Sequence, residues 1–171
     1  MHTKHNANVH SVYHLLGMVV SAAASLLIAS AAQGQNVFVS EYGTGTLYKY
    51  TPTGQRSIFA SWPAWSGPEG LAFDNSGNLF VAGFADIYKL TPDGQQSTFA
   101  SGLFYAAGLA FNTAGNLFAA DFGGNIYEFA PDGTRTTFAS GLVNPQGLAF
   151  DTLGNLFVSS YTTGEIYKRG V

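Results

Sequence analysis

The sequence predicts an all-β fold built from a repeated unit of short strands. The stretch from Gly108 to Gly141 has close copies before it, from Gly70, and after it, from Gly147. Within each copy, short apolar runs alternate with turns rich in Gly, Asn, Asp and Pro, which is the pattern of half-buried strands joined by tight turns. No apolar stripe with a period of about 3.6 residues, as a helix requires, occurs inside the unit.

Each copy contains four strands, which we name a to d in chain order. In the central copy the four strands are Gly108–Phe111, Asn116–Ala120, Asn125–Phe129 and Thr136–Ala139. A four-stranded antiparallel unit of about 40 residues that recurs in tandem is typical of a β-propeller blade. Because one such unit cannot bury its apolar face alone, neighbouring copies are expected to pack into a propeller-like array.

The array begins and ends within a unit. The Asn that opens strand b recurs at positions 36, 78, 116 and 155, which fixes the register of the copies. Counting from it gives b–c–d, then two full units, then a–b–c, so the sequence predicts 14 strands in about 3.5 blades. The predicted blades are 36–61 (partial), 68–101, 106–140 and 145–169 (partial).

Closed propellers have about four to eight four-stranded blades, so an incomplete or open ring is predicted here. Three origins are open: a ring with two incomplete blades, an arc completed by a second chain, or a truncated copy of a longer parent. The unpaired strand edges favour self-association.

Residues 1–32 have the composition of a secretory signal peptide. A polar start up to His14 is followed by the apolar run Leu15–Ala32 and a small-residue exit. We therefore predict a signal helix that is cleaved after Ala32 or Gly34, with a retained membrane anchor as the alternative. The predicted location is secreted, periplasmic or in the cell envelope, without membrane association after cleavage.

Cleavage would remove several catalytic side-chain types. All four His and both Met lie within residues 1–32, and the chain has no Cys. Ser-His-Asp, Cys-His and His-ligated zinc chemistry are then excluded for the mature chain. Without Lys4, six basic residues face ten acidic ones, and this net charge of −4 argues against a nucleic-acid partner.

A longer motif connects the repeats to a known group of proteins. The pattern P-x-G-L-A-F-D-x-x-G-N-L-F-V, followed by I-Y-K-x-T-P-D-G, runs from Pro68 to Gly94 and returns from Pro145 to Lys168. It resembles the NHL-type repeat shared with the senescence-marker-protein/gluconolactonase superfamily and the streptogramin (virginiamycin B) lyases. The resemblance covers essentially all of residues 36–171 and implies a propeller without specifying an activity.

The two enzymatic branches imply different sites. The lyase branch implies an active-site histidine, which the mature chain lacks. The lactonase branch implies a divalent cation held in the central channel by Glu, Asn and Asp, and no residue-by-residue match to that set is found.

Residues that break the repeat are the candidate functional residues, because packing does not explain them. Antiparallel alternation places the b–c and d–a connections on one face, which is therefore expected to be acidic and aromatic. The ligand-binding candidates are Trp62, Trp65, Glu69, Tyr105 and Gln146. The metal candidates are Glu41, Glu69 and Asp121, whose hard oxygen ligands would suit Ca²⁺, and no other cofactor is predicted.

These observations predict a secreted, non-catalytic binding module that acts through this face. The expected partner is a protein, a glycan or a polyol. One alternative is a metal-assisted lactonase or hydrolase of the gluconolactonase-like class. The other is a truncated fragment of a longer propeller without independent activity. The tryptophans have structural alternatives too, since they could plug the gap left by the missing first strand a or seal the seam between blades.

Overall fold

The computed structural model describes residues 18–22, 24–28 and 35–170. In these ranges the chain is all-β, as predicted, with one short 3-10 helix at Ala64–Ser66. The strands are β1 Met18–Ala22, β2 Ala24–Ile28, β3 Val37–Glu41, β4 Thr46–Tyr50, β5 Arg56–Ser61, β6 Leu71–Phe73, β7 Leu79–Ala82, β8 Asp86–Leu90, β9 Gln96–Ser101, β10 Ala106–Phe111, β11 Leu117–Asp121, β12 Asn125–Phe129, β13 Arg135–Ala139, β14 Pro145–Phe150, β15 Leu156–Ser160 and β16 Ile166–Arg169.

Fourteen of these strands form four antiparallel sheets, which we call blades I to IV. Blade I is β3–β4–β5, blade II is β6 to β9, blade III is β10 to β13, and blade IV is β14–β15–β16, each paired in chain order. The structure confirms the predicted count of 14 strands and their division among the blades. Blade I has strands b, c and d, blades II and III have all four strands, and blade IV has strands a, b and c. Among the described residues, strand a of blade I and strand d of blade IV are missing from their sheets, so the array is open.

The N-terminal residues differ from the predicted signal helix. β1 and β2 pair as an antiparallel hairpin, from Met18 opposite Ile28 to Ala22 opposite Ala24, and β2 lies beside β3. Val and Ile in this run favour extended backbone, which explains why the helix prediction is wrong for 18–22 and 24–28. Residues 1–17, 23 and 29–34, which include both predicted cleavage positions, lie outside the described residues. In the described ranges no helix has the length and apolar character that a membrane span needs.

The core consists of three seams between neighbouring blades. In the seam between blades III and IV, Phe118 and Ile126 of blade III pack against Leu156 and Val158 of blade IV, and each of the four is at most 1% exposed. Alternation along each strand gives a blade two apolar faces, one for each neighbour. The same residue types therefore build the other two seams.

The Phe on strand b anchors each seam through edge-to-face aromatic contacts. The ring of Phe118 lies 5.1 Å from that of Phe138 on strand d and 5.0 Å from that of Phe150 on strand a of the next blade. Phe80 and Phe38 occupy the equivalent positions in the two preceding seams and make equivalent contacts. Such aromatic pairs add about 0.5–1.5 kcal/mol each beyond their burial.

The Gly that opens strand a lets two blades approach through their backbones. A Cβ atom at Gly70 would collide with the carbonyl oxygen of Ala107, and one at Gly108 with that of Gln146. The recurring Gly-Leu-Ala-Phe motif is thus a packing requirement. Gly147 has a different environment. A Cβ atom at Gly147 would lie 2.8 Å from the hydroxyl oxygen of Ser159, which belongs to the same blade.

Candidate ligand-binding face

The b–c and d–a connections lie at the same end of every blade, as the antiparallel pairing requires. Backbone hydrogen bonds join each d–a connection to the b–c loop that it meets. Ser66, Tyr105 and Asn144 supply the carbonyl oxygens, which accept from the N–H groups of residues 84, 122 and 161 at 2.7, 2.9 and 3.0 Å. We call the surface formed by these connections, residues 41–46, 61–71, 82–86, 101–106, 121–125, 139–145 and 160–165 together with Gln146, the loop face.

Two predicted candidates from different blades meet at the centre of the loop face. The side-chain amide of Gln146 donates a hydrogen bond of 3.0 Å to Oε1 of Glu69, across 77 positions of sequence. Each residue immediately precedes the Gly of strand a, in blades IV and II respectively. The intervening blade has Ala107 at this position, and its small side chain is buried.

Tyr105, a third candidate, joins the same cluster. Burial first, then the negative charge of Glu69, and then hydrogen bonds with Tyr42 and with the Glu69 carboxylate raise the pKa of Tyr105 well above its ordinary value. The Tyr105 hydroxyl therefore keeps its proton at neutral pH. Oε2 of Glu69 is buried and has no hydrogen-bond donor among the described residues. Burying a carboxylate oxygen in this way is unfavourable unless a donor reaches it.

A row of aromatic rings crosses the loop face beside Glu69. Tyr105 lies 6.4 Å from Tyr42, 5.6 Å from Phe84 and 5.8 Å from Phe122, measured between ring centroids. Phe122 in turn lies 6.0 Å from Tyr161. We call these five residues the aromatic row. Three of them are substantially exposed, Tyr42 by 41%, Phe84 by 46% and Tyr161 by 67%. Contiguous exposed apolar surface of this kind marks interaction sites.

The two predicted tryptophans have different positions. Trp65 is 77% exposed on the d–a connection between blades I and II, where a ligand could reach it. Trp62 is buried in the seam between the same blades, and its ring lies 5.2 Å from that of Tyr88. Trp62 therefore serves the seam, which was the alternative interpretation of this residue.

Charge is unevenly divided between the two ends of the blades. Four cationic residues belong to the parts of strands c and d next to the c–d turns, at the opposite end, and each stacks over an aromatic ring: Lys49, Lys89, Arg56 and Arg135. Lys168 and Arg169 occupy the same end of strand β16. No Lys or Arg belongs to the loop-face ranges themselves, but the Arg135 guanidinium reaches them and donates a hydrogen bond of 3.3 Å to the carbonyl oxygen of Gly102. The acidic residues of these ranges are Glu41, Glu69, Asp86, Asp121 and Glu165.

The three predicted metal candidates have separate partners. Glu41 accepts a hydrogen bond of 2.7 Å from the Thr44 hydroxyl. Asp121 is only 2% exposed and accepts from the backbone N–H groups of Phe104 and Gly123, both at 2.8 Å. Residues 35–170 contain no group of three or more His, Cys, Asp or Glu placed to hold a metal ion. The structure does not bring Glu41, Glu69 and Asp121 together as one such group.

Asp121 instead holds two loops together, and this role is testable. We expect Asp121→Asn to lower the free energy of unfolding by about 2 kcal/mol, because hydrogen bonds to a charged acceptor contribute about 1.5–3 kcal/mol. Glu41→Gln is the control, since it changes a carboxylate whose hydrogen bond is exposed, and it should cost less than about 0.5 kcal/mol. Urea unfolding measures both, and equal costs would contradict this role.

Sequence reasoning missed the b–c loop members of the aromatic row. It assigned recurring residues to the scaffold, and an aromatic residue recurs in the b–c loop of every blade. The signal was present: these aromatics follow strand b directly or after one Gly, outside the alternation that buries a strand residue. Recurrence outside a strand therefore indicated a shared surface.

The fold and the loop face define a β-propeller-type repeat protein. Residues 133–168 match the model of the SBBP β-propeller repeat. None of the curated proteins matches the chain in sequence.

Solved propellers are similar in fold. A structure assigned by name to the gluconolactonases aligns with a TM-score of 0.65 at 22% identity, over 80% of this chain and 59% of that one. Virginiamycin B lyase from Staphylococcus aureus aligns with a TM-score of 0.67 at 17% sequence identity, over 84% of this chain and 54% of that one. A chain of the nidogen/laminin complex aligns with a TM-score of 0.70 at 19% sequence identity, over 85% of this chain and 63% of that one. This chain thus spans between half and two thirds of the length of these structures.

Proposed function

We propose that this chain is a non-catalytic binding module that holds a basic peptide segment on its loop face. The observation that carries the proposal is the aromatic row beside Glu69 on a face whose own residues include five carboxylates and no Lys or Arg. Aromatic faces attract Lys and Arg side chains, and negative surface charge favours their approach. The row extends over four blades, which suits an extended chain better than a single small molecule.

Glu69 supplies the anchoring charge in this proposal. A Lys or Arg side chain of the peptide pairs with the half-buried Glu69 carboxylate. Oε2, which lacks a donor in the described part of the chain, is itself buried, so the carboxylate has to turn towards solvent to accept from the peptide. Gln146 holds the other carboxylate oxygen and so fixes the direction of the group. The Tyr105 and Tyr42 rings flank the aliphatic part of the basic side chain, which stays packed against apolar surface.

The fold is compatible with a protein partner. One structural relative is part of the nidogen/laminin complex, in which two proteins associate. Others are named as a lyase and a gluconolactonase, so the fold alone favours no activity. The gluconolactonase-like alternative would need a metal-assisted site on this chain, and the fragment alternative would need a longer protein to supply function.

The experiment compares arrays of basic peptides, the same peptides with Gln in place of Lys and Arg, and neutral glycans. We expect binding to the basic peptides alone, weakening as salt rises because the attraction is partly electrostatic. Glu69→Gln should weaken it roughly tenfold, equivalent to about 1.4 kcal/mol. This substitution keeps an oxygen for Gln146 to donate to, so the fold is retained.

Leu153→Ala is the matched control, since Leu153 is 85% exposed on an a–b turn away from the loop face. It should leave peptide affinity unchanged. Binding to glycans only, or equal affinity for the Gln-substituted peptides, would contradict the proposal. Calcium-dependent lactone hydrolysis by the purified chain would replace it with the enzymatic alternative. A chain that does not unfold cooperatively would favour the fragment alternative.

A further inference from the structure

We propose that a second copy of this chain docks its blade I against the open face of blade IV, in a head-to-tail arrangement. The open face is the side of blade IV turned away from blade III, with Gly147, Phe157, Ser159 and Ile166. It lies on the flank of the array and is separate from the loop face. The proposal is therefore independent of the peptide-binding function.

The exposure of one repeated position identifies this face as an unfilled seam. Ile166 on strand c of blade IV is 71% exposed. Its equivalents Leu47, Ile87 and Ile126 are each 0% exposed, because each pairs with an Ala on strand d of its own blade and packs in the seam with the next blade. Around Ile166 the described chain provides neither a strand d nor a further blade. A large apolar side chain at the same place in four blades, buried in three of them, indicates that a further blade belongs against the fourth.

Gly147 supports the same conclusion from the backbone. At Gly70 and Gly108 the absence of a Cβ atom is required by the backbone of the following blade. At Gly147 a Cβ atom would meet only the side chain of Ser159. Blade IV therefore keeps the backbone approach site of a seam, although the described chain places no blade there.

The complementary half of this seam is present in the same chain. Val37 and Val39 on strand b of blade I occupy the positions at which Leu156 and Val158 of blade IV are buried against the preceding blade. Both valines are only half-buried. Ile58, which pairs with Tyr48 on the same side of blade I, is 66% exposed and lies at the rim of this side, since its equivalents Thr98 and Thr137 stay exposed beside filled seams. A second copy can thus continue a seam that the chain already builds three times.

The proposed contact joins different surfaces of the two copies. Such heterologous contacts close into a ring when the rotation permits and otherwise extend as a filament. Blade I lacks strand a in its sheet and has β2 beside β3, so the second copy makes less apolar contact with blade I than neighbouring blades make within the chain. Association is therefore expected to depend on protein concentration.

The test measures the mass of the full chain by sedimentation equilibrium between about 1 and 100 μM, a range that covers micromolar affinities. We expect the mass to rise to at least twice that of one chain. Ile166→Arg should weaken association at least tenfold, because it puts a charge on the apolar seam. Leu153→Arg is the control on the same blade, and Glu69→Gln is the control on the loop face. Neither should change the mass.

A mixing experiment tests the head-to-tail arrangement. Ile58→Arg blocks the blade I side, and each variant alone should be monomeric. Mixed together, the two variants should form a heterodimer, since one supplies an intact blade IV face and the other an intact blade I face. Both positions are exposed in the single chain, so thermal unfolding of dilute samples should match the parent protein. A monomer at every concentration, an unaffected Ile166→Arg variant, or failure of the mixture to associate would overturn the proposal.

Discussion

Phe118→Ala lowers the free energy of unfolding by about 4 kcal/mol, which is the usual cost of emptying a buried aromatic site. Phe118 is 0% exposed and packs against Phe138 and Phe150. Its removal leaves a cavity in the seam between blades III and IV, and neither backbone can move in to fill it because Gly108 already brings them into close contact. Urea unfolding with a fitted slope measures the change.

Phe157→Ala is the matched control, because Phe157 occupies the same position in blade IV, where the described chain adds no further blade. The ring is half-buried and is covered on one side by the Lys168 ammonium group, 5.5 Å from its centroid. Its truncation should cost less than about 2 kcal/mol when the protein is dilute, since exposed groups lose little on removal. Equal costs at Phe118 and Phe157 would mean that the seams do not carry the stability of the array.

The fold was largely predictable because each copy repeats the same pattern of strand and turn residues. Alternation along strand b specified two apolar faces, and Gly, Asn and Pro-x-Gly turns specified antiparallel returns. These signals are local and act four times, so an error in one copy is corrected by the others. The segment from Met18 to Ile28 has no copy, and there composition alone could not distinguish a helix from a hairpin.

The candidate site was only partly predictable, because it is assembled from different blades. Glu69 and Gln146 were found as departures from the repeat, and the structure brings them to 3.0 Å. Asp121 departs from the repeat as well, yet its carboxylate is occupied by two backbone N–H groups. Sequence can indicate that packing does not explain a residue, but only coordinates distinguish a carboxylate that holds two loops, such as Asp121, from one that pairs with a side chain of another blade, such as Glu69.

Gly108→Ala tests the backbone contact on which the seams depend. We expect it to lower the free energy of unfolding by about 3 kcal/mol, because the added methyl overlaps the carbonyl oxygen of Gln146 and must separate blades III and IV. The dihedral angles at Gly108 are ordinary for an L-residue, so steric overlap is the cause of the cost rather than backbone strain.

Gly147→Ala provides the comparison within the same motif. Its Cβ atom would meet only the Ser159 hydroxyl, which can rotate away at the loss of the 2.9 Å hydrogen bond that it accepts from the Gly147 N–H. The expected cost in dilute protein is therefore about 1 kcal/mol. The same substitution should weaken self-association, because it places a methyl where the backbone of the second copy would lie. If Gly108→Ala and Gly147→Ala unfold at the same urea concentration, then the glycine does not set the spacing of the blades, and the open face of blade IV loses its strongest resemblance to a seam.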